Sequence, residues 1–368
     1  MKNKIVELIA ANVEGLTAAE IADLIEIPPK PELGDFAFPC FRLAKTMRKA
    51  PQMIANDIKE AIGDVDFLQE IQVQGAYLNF FVKKELFIET MVTASMADDF
   101  GSSTEGNGQT ICIDYSSPNV AKNFHVGHLR TTIIGNSLYK IYSKLGYKVV
   151  RINHLGDWGT QFGKLIVAYK AWGSEEAVKK DGVAELMKLY VKFHEEAEKN
   201  PELNDEARAW FAKMEHGDEE ALKIWQWFKD ISLIEYKRTY DLLGMDFDYY
   251  LGESFYRDKT DDVVKRLTDA NLLTESEGAK IVNLDAYDMA PCLILKNDGS
   301  SIYATRDIAA IFYRKETYNF VKCLYVTGQE QKLHFKQVFK VVELLGNEWA
   351  KDQLVHIPYG LVSLEGAK

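Results

Sequence analysis

Two histidines flanking a valine and a glycine, His125-Val126-Gly127-His128, carry the most distinctive chemistry in the sequence. Leu129, Ile133, Ile134, Leu138, Ile141, Tyr142 and Leu145 follow at helical spacing, which puts the pair at the mouth of a helix. A helix N-terminus offers free N–H groups and a partial positive charge, and so favours phosphate. Residues three apart share a face of the first turn. Two imidazoles placed there can donate hydrogen bonds to an α-phosphate whose charge grows as it is attacked, a transfer that rests on positioning and electrostatics. Gly127 has no Cβ and would let a flat base approach the backbone. Composition alone gives such a tetrapeptide about 0.01 times in a chain of this length, so its chemistry is weighed first. A helix-capping histidine pair is the alternative.

The elements that must position this turn are legible around it. Thr110-Ile111-Cys112-Ile113-Asp114-Tyr115 alternates like a strand, Gly146 suits the end of the helix, and Lys148 to Asn153 reads as a second strand. Strand, helix, strand makes a parallel βαβ unit. Ligands bind beyond the carboxyl ends of such strands, where Ser116 to His128 and Asn153 to Gly159 fall. Further on, an acidic, Lys-rich stretch at about 172–225 reads as an inserted helical pair. A second, hairpin-rich insertion is expected at about 260–298, ending in the turn Asn297-Asp298-Gly299. Val321 to Val326 is another sheet strand.

The polar, Gly-rich run from Asp98 to Gly108 marks a boundary, giving expected domains 1–105 and 106–368. The first opens with an amphipathic helix around Ile5, Val6, Leu8 and Ile9, and a second helix begins at a Thr17/Glu20 capping box. A Pro-rich extended loop leads into a strand near Phe36, and Val73 to Val82 reads as a strand pair. Between them lies an expected helix carrying Arg42, Lys45, Arg48 and Lys49, spaced three, three and one, so that much of the charge shares one face. That face is either an RNA-phosphate contact or merely solvated.

Composition bounds the partners. The 368 residues are 47% hydrophobic and carry a net charge of −11, which argues against a broadly nucleic-acid-binding surface without excluding local basic patches. Cys40, Cys112, Cys292 and Cys323 form no CxxC pair, so no zinc and no other metal ligands are assigned. Buried free thiols suit a reducing compartment. No apolar run approaches the roughly 20 residues of a membrane span, and acid appears too early for a signal peptide. A cytoplasmic protein with no membrane partner is expected.

The flanks of the histidine turn carry a resemblance. Asp114-Tyr115-Ser116-Ser117-Pro118-Asn119-Val120-Ala121-Lys122-Asn123-Phe124-His125-Val126-Gly127-His128 resembles the signature block of arginyl-tRNA synthetases, in which HVGH is the form of the class I HIGH element. Asn153 to Gly163, Tyr303 to Ala309 and Gln329 to His334 are similar to three further blocks, and Lys30 to Ala37 to the N-terminal additional domain. The resemblance implies an α/β fold: a Rossmann-like parallel-sheet class I catalytic domain with helical and hairpin insertions, preceded by a small tRNA-contacting α/β domain. It implies an arginine-tRNA ligase that uses ATP, Mg²⁺ with the ATP, L-arginine and tRNA(Arg), and acts as a monomer. His125, Gly127, His128 and Lys122 would hold ATP, with His125, His128 and Lys122 catalytic. Ser117, Asn119 and Asn153 would bind the amino-acid backbone. Tyr303, Asp307 and Gln331 would line the side-chain pocket, a carboxylate being the natural partner of a guanidinium. Arg42, Lys45, Arg48 and Lys49 would touch tRNA. Leu361 to Lys368 resembles the approach to the Lys-containing KMSK loop. The chain is therefore expected to be truncated before that loop and before an anticodon-binding domain. A small HxGH nucleotidylyltransferase and a catalytically silent RNA-binding fragment are the alternatives.

Overall fold

The computed structural model describes residues 1–297 and 299–360. Asp298 of the anticipated turn and the KMSK-like approach, Leu361 to Lys368, lie outside the described residues. The chain divides into two compact units, Met1–Gly101 and Ser102–Lys368.

In the first unit, Ile5, Val6 and Ile9 fall on one side of the helix Lys2–Asn12 and are buried. The helix Ala18–Leu24 starts at the reciprocal Thr17/Glu20 cap. Strands β1 (Phe36–Pro39), β2 (Leu68–Gln74) and β3 (Tyr77–Val82) form an antiparallel sheet in the order β1-β3-β2. Phe38, Leu78 and Phe80 of this sheet meet Ile54 and Ile58 of the helix Pro51–Ile62 in one core.

The expected basic helix is not continuous. Arg42 lies in a 3₁₀ turn, Cys40–Leu43, and Lys45 in a single helical turn, Ala44–Met47. Arg48 is left-handed at φ 51°, and Lys49 lies beyond it, 2.6 Å from Asp57. The reason is Pro51, which opens the next helix. Proline disfavours helical geometry in the residue before it, and Ala50 is extended at ψ 138°. All four basic side chains are exposed, but they do not form one helical face.

The second unit alternates strand and helix from β4 (Thr110–Asp114) through the helix Val126–Lys144 to β5 (Lys148–Asn153). Gly146, at φ 82°, closes that helix as only a residue without a Cβ does cheaply. Between Trp172 and Trp225, where two helices are expected, the chain breaks more often. It makes Glu175–Asp181, Val183–Lys199 and Glu202–Glu215, then Glu219–Leu242, which runs well past Trp225. Breaks at Gly182, Asn200-Pro201 and His216-Gly217 divide them. A short β6 (Tyr249–Tyr250) follows. After the helix Thr260–Asp269 come β7 (Leu273–Ser276), β8 (Ala279–Val282) and β9 (Cys292–Leu295), an antiparallel sheet. The helix Tyr303–Tyr318, β10 (Lys322–Gly328), the helix Lys332–Leu344 and β11 (Leu354–Tyr359) complete the unit.

The main sheet has the order β11-β10-β4-β5-β6, and every pairing in it is parallel. Its central strands are covered on both faces, which explains why Ile111, Cys112 and Ile113 are all buried in succession. The four cysteines are free and buried. No helix among the described residues is long and apolar enough to cross a membrane.

Candidate active site

Strand β4 pairs with β5 on one side and β10 on the other. The chain leaves in opposite directions across that seam, and a cleft opens beyond the carboxyl ends, where open parallel sheets hold ligands. A cavity of about 530 Å³ lies there. Asp114, Ser117 and Asn119 enter it from the end of β4, His154 from the end of β5, and Glu253 from the start of the short helix Glu253–Tyr256 after β6. Tyr303, Asp307, Gln331 and His334 close it from the β10 side.

The loop after β4 is held in a costly conformation. Ser116 and Ser117 both have positive φ, 73° and 46°, which non-glycine residues adopt only when their surroundings dictate it. The Ser116 amide donates to Thr131 Oγ1 (3.2 Å), and its hydroxyl lies 2.7 Å from the Tyr240 hydroxyl. The Ser117 amide donates to Asn153 Oδ1 (3.2 Å), and its hydroxyl to Asp114 Oδ1 (3.0 Å). Asn153 is itself buried and donates to the Tyr240 hydroxyl at 3.0 Å. It therefore stands behind Ser117, not in the cavity lining.

A charge network forms the floor. Arg314 Nη2, fully buried, lies 2.8 Å from Asp114 Oδ2 and 3.4 Å from His154 Nδ1. Burial disfavours the guanidinium's charge, but Asp114 holds its proton affinity well above the usual value. Asp307 Oδ2 lies 2.6 Å from His334 Nε2. Burial pushes Asp307 up, yet the bond to His334, with His154 and Arg314 nearby, keeps its carboxyl below the usual range. Glu253 is raised by burial against the pull of Arg306, 3.1 Å away. Beside it, Asp157 accepts from the Ser254 amide (2.8 Å) and hydroxyl (2.7 Å) and pairs with Lys229 (2.6 Å). This clamp fixes the short helix Glu253–Tyr256 to the block after β5.

The histidine turn opens the helix Val126–Lys144 with His125 as its cap. The Gly127 amide donates to His125 Nδ1 (3.1 Å), and the His125 amide donates to His128 Nδ1 (3.3 Å). The rings stack with centroids 3.8 Å apart. With each Nδ1 accepting an amide, Nε2 is the ring nitrogen left to donate to a ligand. A Cβ on Gly127 would lie 3.0 Å from His125 Cε1, so glycine here serves the ring as well as any base. Burial, then His125 and Lys122, pushes His128 down to about 4 from the usual value near 6.5. Histidine NMR at neutral pH should show His128 uncharged with its proton on Nε2 and a midpoint near 4 on acid titration. A midpoint near the ordinary value would contradict this geometry. The unfolded chain takes up that proton first as pH falls, so His128 erodes stability between the ordinary value and about 4.

Comparison with known proteins bears on both units. The family described as tRNA synthetases class I (R), catalytic domain, matches residues 91–368, and Arginyl tRNA synthetase N terminal domain matches residues 3–82. The chain belongs to the arginyl-tRNA synthetase family. Arginine--tRNA ligase of Alkaliphilus metalliredigens is 56% identical over 369 residues, covering 100% of this chain and 65% of that relative. The Clostridium perfringens counterpart is 57% identical with the same coverage. The chain thus spans 65% of the length of these curated relatives. The fold is shared with arginyl-tRNA synthetases of Plasmodium falciparum (TM-score 0.69, 24% identity, 99% of this chain and 66% of that one) and Thermus thermophilus (TM-score 0.69, 21% identity, 100% and 67%).

Within this synthetase fold, Ser117, Asn119, Tyr303, Asp307 and Gln331 share one cavity. Asn153 supports Ser117 from behind, and Lys122 is close enough to lower the proton affinity of His128. Arg42, Lys45, Arg48 and Lys49 belong to the first unit. Sequence reasoning assigned no role to Glu253, His154, His334 or Arg314. His154 and His334 stood within blocks already singled out, and their types were the available signal. Among the described residues no group of His, Cys, Asp or Glu is arranged to hold a metal ion.

Proposed function

We propose that this chain carries the arginine-activating site of an arginine-tRNA ligase. An arginine carboxylate oxygen attacks the α-phosphorus of ATP, the bond to pyrophosphate breaks, and arginyl-adenylate forms. A terminal ribose hydroxyl at the 3′ end of tRNA(Arg) then attacks the acyl carbon, and AMP leaves. Mg²⁺ arrives with ATP as part of that substrate. The nucleophiles belong to the substrates, so the protein's task is placement and charge stabilisation. One observation carries the reading above all: a part-buried carboxylate, Asp307, held below the usual range in a cavity at the sheet's switch point, on a chain whose HxGH turn leaves the Nε2 atoms of both histidines to donate.

In this reading Asp307, with Tyr303 and Gln331, takes the guanidinium, and Ser117 and Asn119 take the amino-acid end while Asn153 holds Ser117 in place. His125, His128 and Lys122 face the ATP phosphates, and Gly127 keeps His125 in register. Exposed Arg42, Lys45, Arg48 and Lys49 would meet tRNA phosphate as separate contacts along a turn, read by shape more than sequence. The protein acts as a cytoplasmic monomer.

The test is Asp307→Asn. Removing the charge opposite a desolvated guanidinium should weaken arginine binding, measured by calorimetry, by about 2–4 kcal/mol. ATP binding should not change. Equal arginine affinity in parent and variant would sink the assignment.

A further inference from the structure

The helix Glu219–Leu242 runs past Trp225, and its later turns carry a polar stripe. Ser232, Tyr236 and Tyr240 are spaced four apart, which puts them on one face, and all three are buried. Each reaches the same segment, the loop Ser116 to Lys122 after β4. The Ser232 hydroxyl donates to Phe228 O (2.7 Å), so its oxygen is left to accept the Ala121 amide (3.0 Å). The Tyr236 hydroxyl donates to Asn119 O (2.6 Å) and Lys122 O (2.7 Å). Tyr240 has two partners. Asn153 Oδ1 accepts the Ser117 amide, so its Nδ2 faces Tyr240 and can only donate, at 3.0 Å. The Tyr240 proton is then left for Ser116 Oγ, 2.7 Å away.

In that loop the backbone is least at ease. Ser116, Ser117 and Ala121 have positive φ, 73°, 46° and 61°. None is glycine, so the conformation persists only where its surroundings over-determine it. The stripe does this at each of them, directly at Ser116 and Ala121 and through Asn153 at Ser117. The same loop brings Ser117 and Asn119 to the cavity and carries Lys122, which lowers the proton affinity of His128.

We propose that Ser232, Tyr236 and Tyr240 are positioning residues for arginine, a rail that holds the loop after β4 in its strained, binding-ready form before the substrate arrives. The inference rests on the reading of the cavity as the arginine site and deepens it. None of the three residues lines the cavity, so the rail acts through the loop. A loop already held need not be ordered by the ligand. A loop free to relax scales the apparent affinity by the fraction of time it spends in the binding form.

The experiment compares Tyr240→Phe and Tyr236→Phe with the parent in the 368-residue chain. Phenylalanine keeps the ring and removes only the hydroxyl. Arginine affinity, measured by calorimetry, should fall about three- to tenfold in each variant, the scale of one hydrogen bond. Hydrogen exchange followed by mass spectrometry should quicken in peptides covering 116–123 and keep the parental rate in peptides covering β4 and β10. That pattern marks local release of the loop, not a general loosening. Parental affinity in either variant would overturn the proposal. So would exchange that quickens equally across the sheet, since the hydroxyls would then serve only the fold. Asp307→Asn, measured alongside, separates this role from the reading beneath it. If Asp307→Asn binds arginine as tightly as the parent, or the parent binds none, the pocket reading itself has failed. If Asp307→Asn loses arginine while the tyrosine variants keep it, only the positioning role has.

Discussion

Replacing Arg314 by alanine should lower the unfolding free energy of the second unit by about 3–5 kcal/mol, the cost of removing one partner of a buried ion pair. Arg314 is fully buried, and its Nη2 lies 2.8 Å from an Asp114 oxygen. Asp114 ends the central strand and anchors the Ser117 hydroxyl, so the truncation leaves an uncompensated carboxylate beneath the most strained loop of the site. A second loss adds to it, because the same guanidinium holds His154. Denaturant unfolding followed by tryptophan fluorescence suits the measurement. Trp158, Trp172, Trp210, Trp225, Trp227 and Trp349 are all six tryptophans of the chain, and all lie in the second unit. The midpoint should fall with little change in slope. Asp114→Asn combined with Arg314→Ala should cost less than the sum of the two single changes, since the neutral amide no longer needs the cation. An unchanged midpoint for Arg314→Ala would mean that the pair contributes nothing net.

The contrast between this ion pair and the histidine turn explains what the sequence disclosed. The turn was legible because its physics is local. A strand, a helical register and a closing Gly146 fix where the helix starts, and His125 and His128 cap each other over a span of three residues. The Thr17/Glu20 cap was legible for the same reason. The misplaced basic helix was also a local matter, in which charge spacing was weighed and the effect of Pro51 on Ala50 was not. Asp114 and Arg314 meet only because β10 returns beside β4 and brings the helix Tyr303–Tyr318 with it. Glu253 reaches the cavity through Asp157 and Ser254, and His334 meets Asp307 across two packed helices. No periodicity encodes such meetings. Ser116 and Ser117 show the same limit at the level of the backbone. Serine has no intrinsic liking for positive φ, and only the surrounding hydrogen bonds explain it.

His128→Ala should slow adenylate formation by about 10²–10³-fold, the effect of losing one preorganised donor to developing charge. The donor is preorganised because its Nδ1 is taken by the His125 amide at 3.3 Å, which leaves Nε2–H as the remaining donor. It is also uncharged at working pH, since burial, then His125 and Lys122, push it down to about 4. In the proposed reading it would therefore stabilise charge that develops during attack without holding the ground-state phosphate as tightly as a full cation would. The deficit should accordingly appear in the rate of pyrophosphate exchange, measured with arginine, ATP and tRNA present. Arginine affinity should barely move, because Asp307 and Tyr303 lie on a different helix. Alanine also removes the cap on the His125 amide, so some loss could come from a frayed helix start, typically worth about 1 kcal/mol. His128→Asn separates the two. Its side-chain oxygen can restore the cap but reaches no further than the Nδ1 position. If the donor is what matters, His128→Asn should regain thermal stability and remain as slow as His128→Ala. Recovery of the exchange rate with the cap would assign His128 to holding the turn, and exchange near the parental rate in both variants would remove it from the phosphate site.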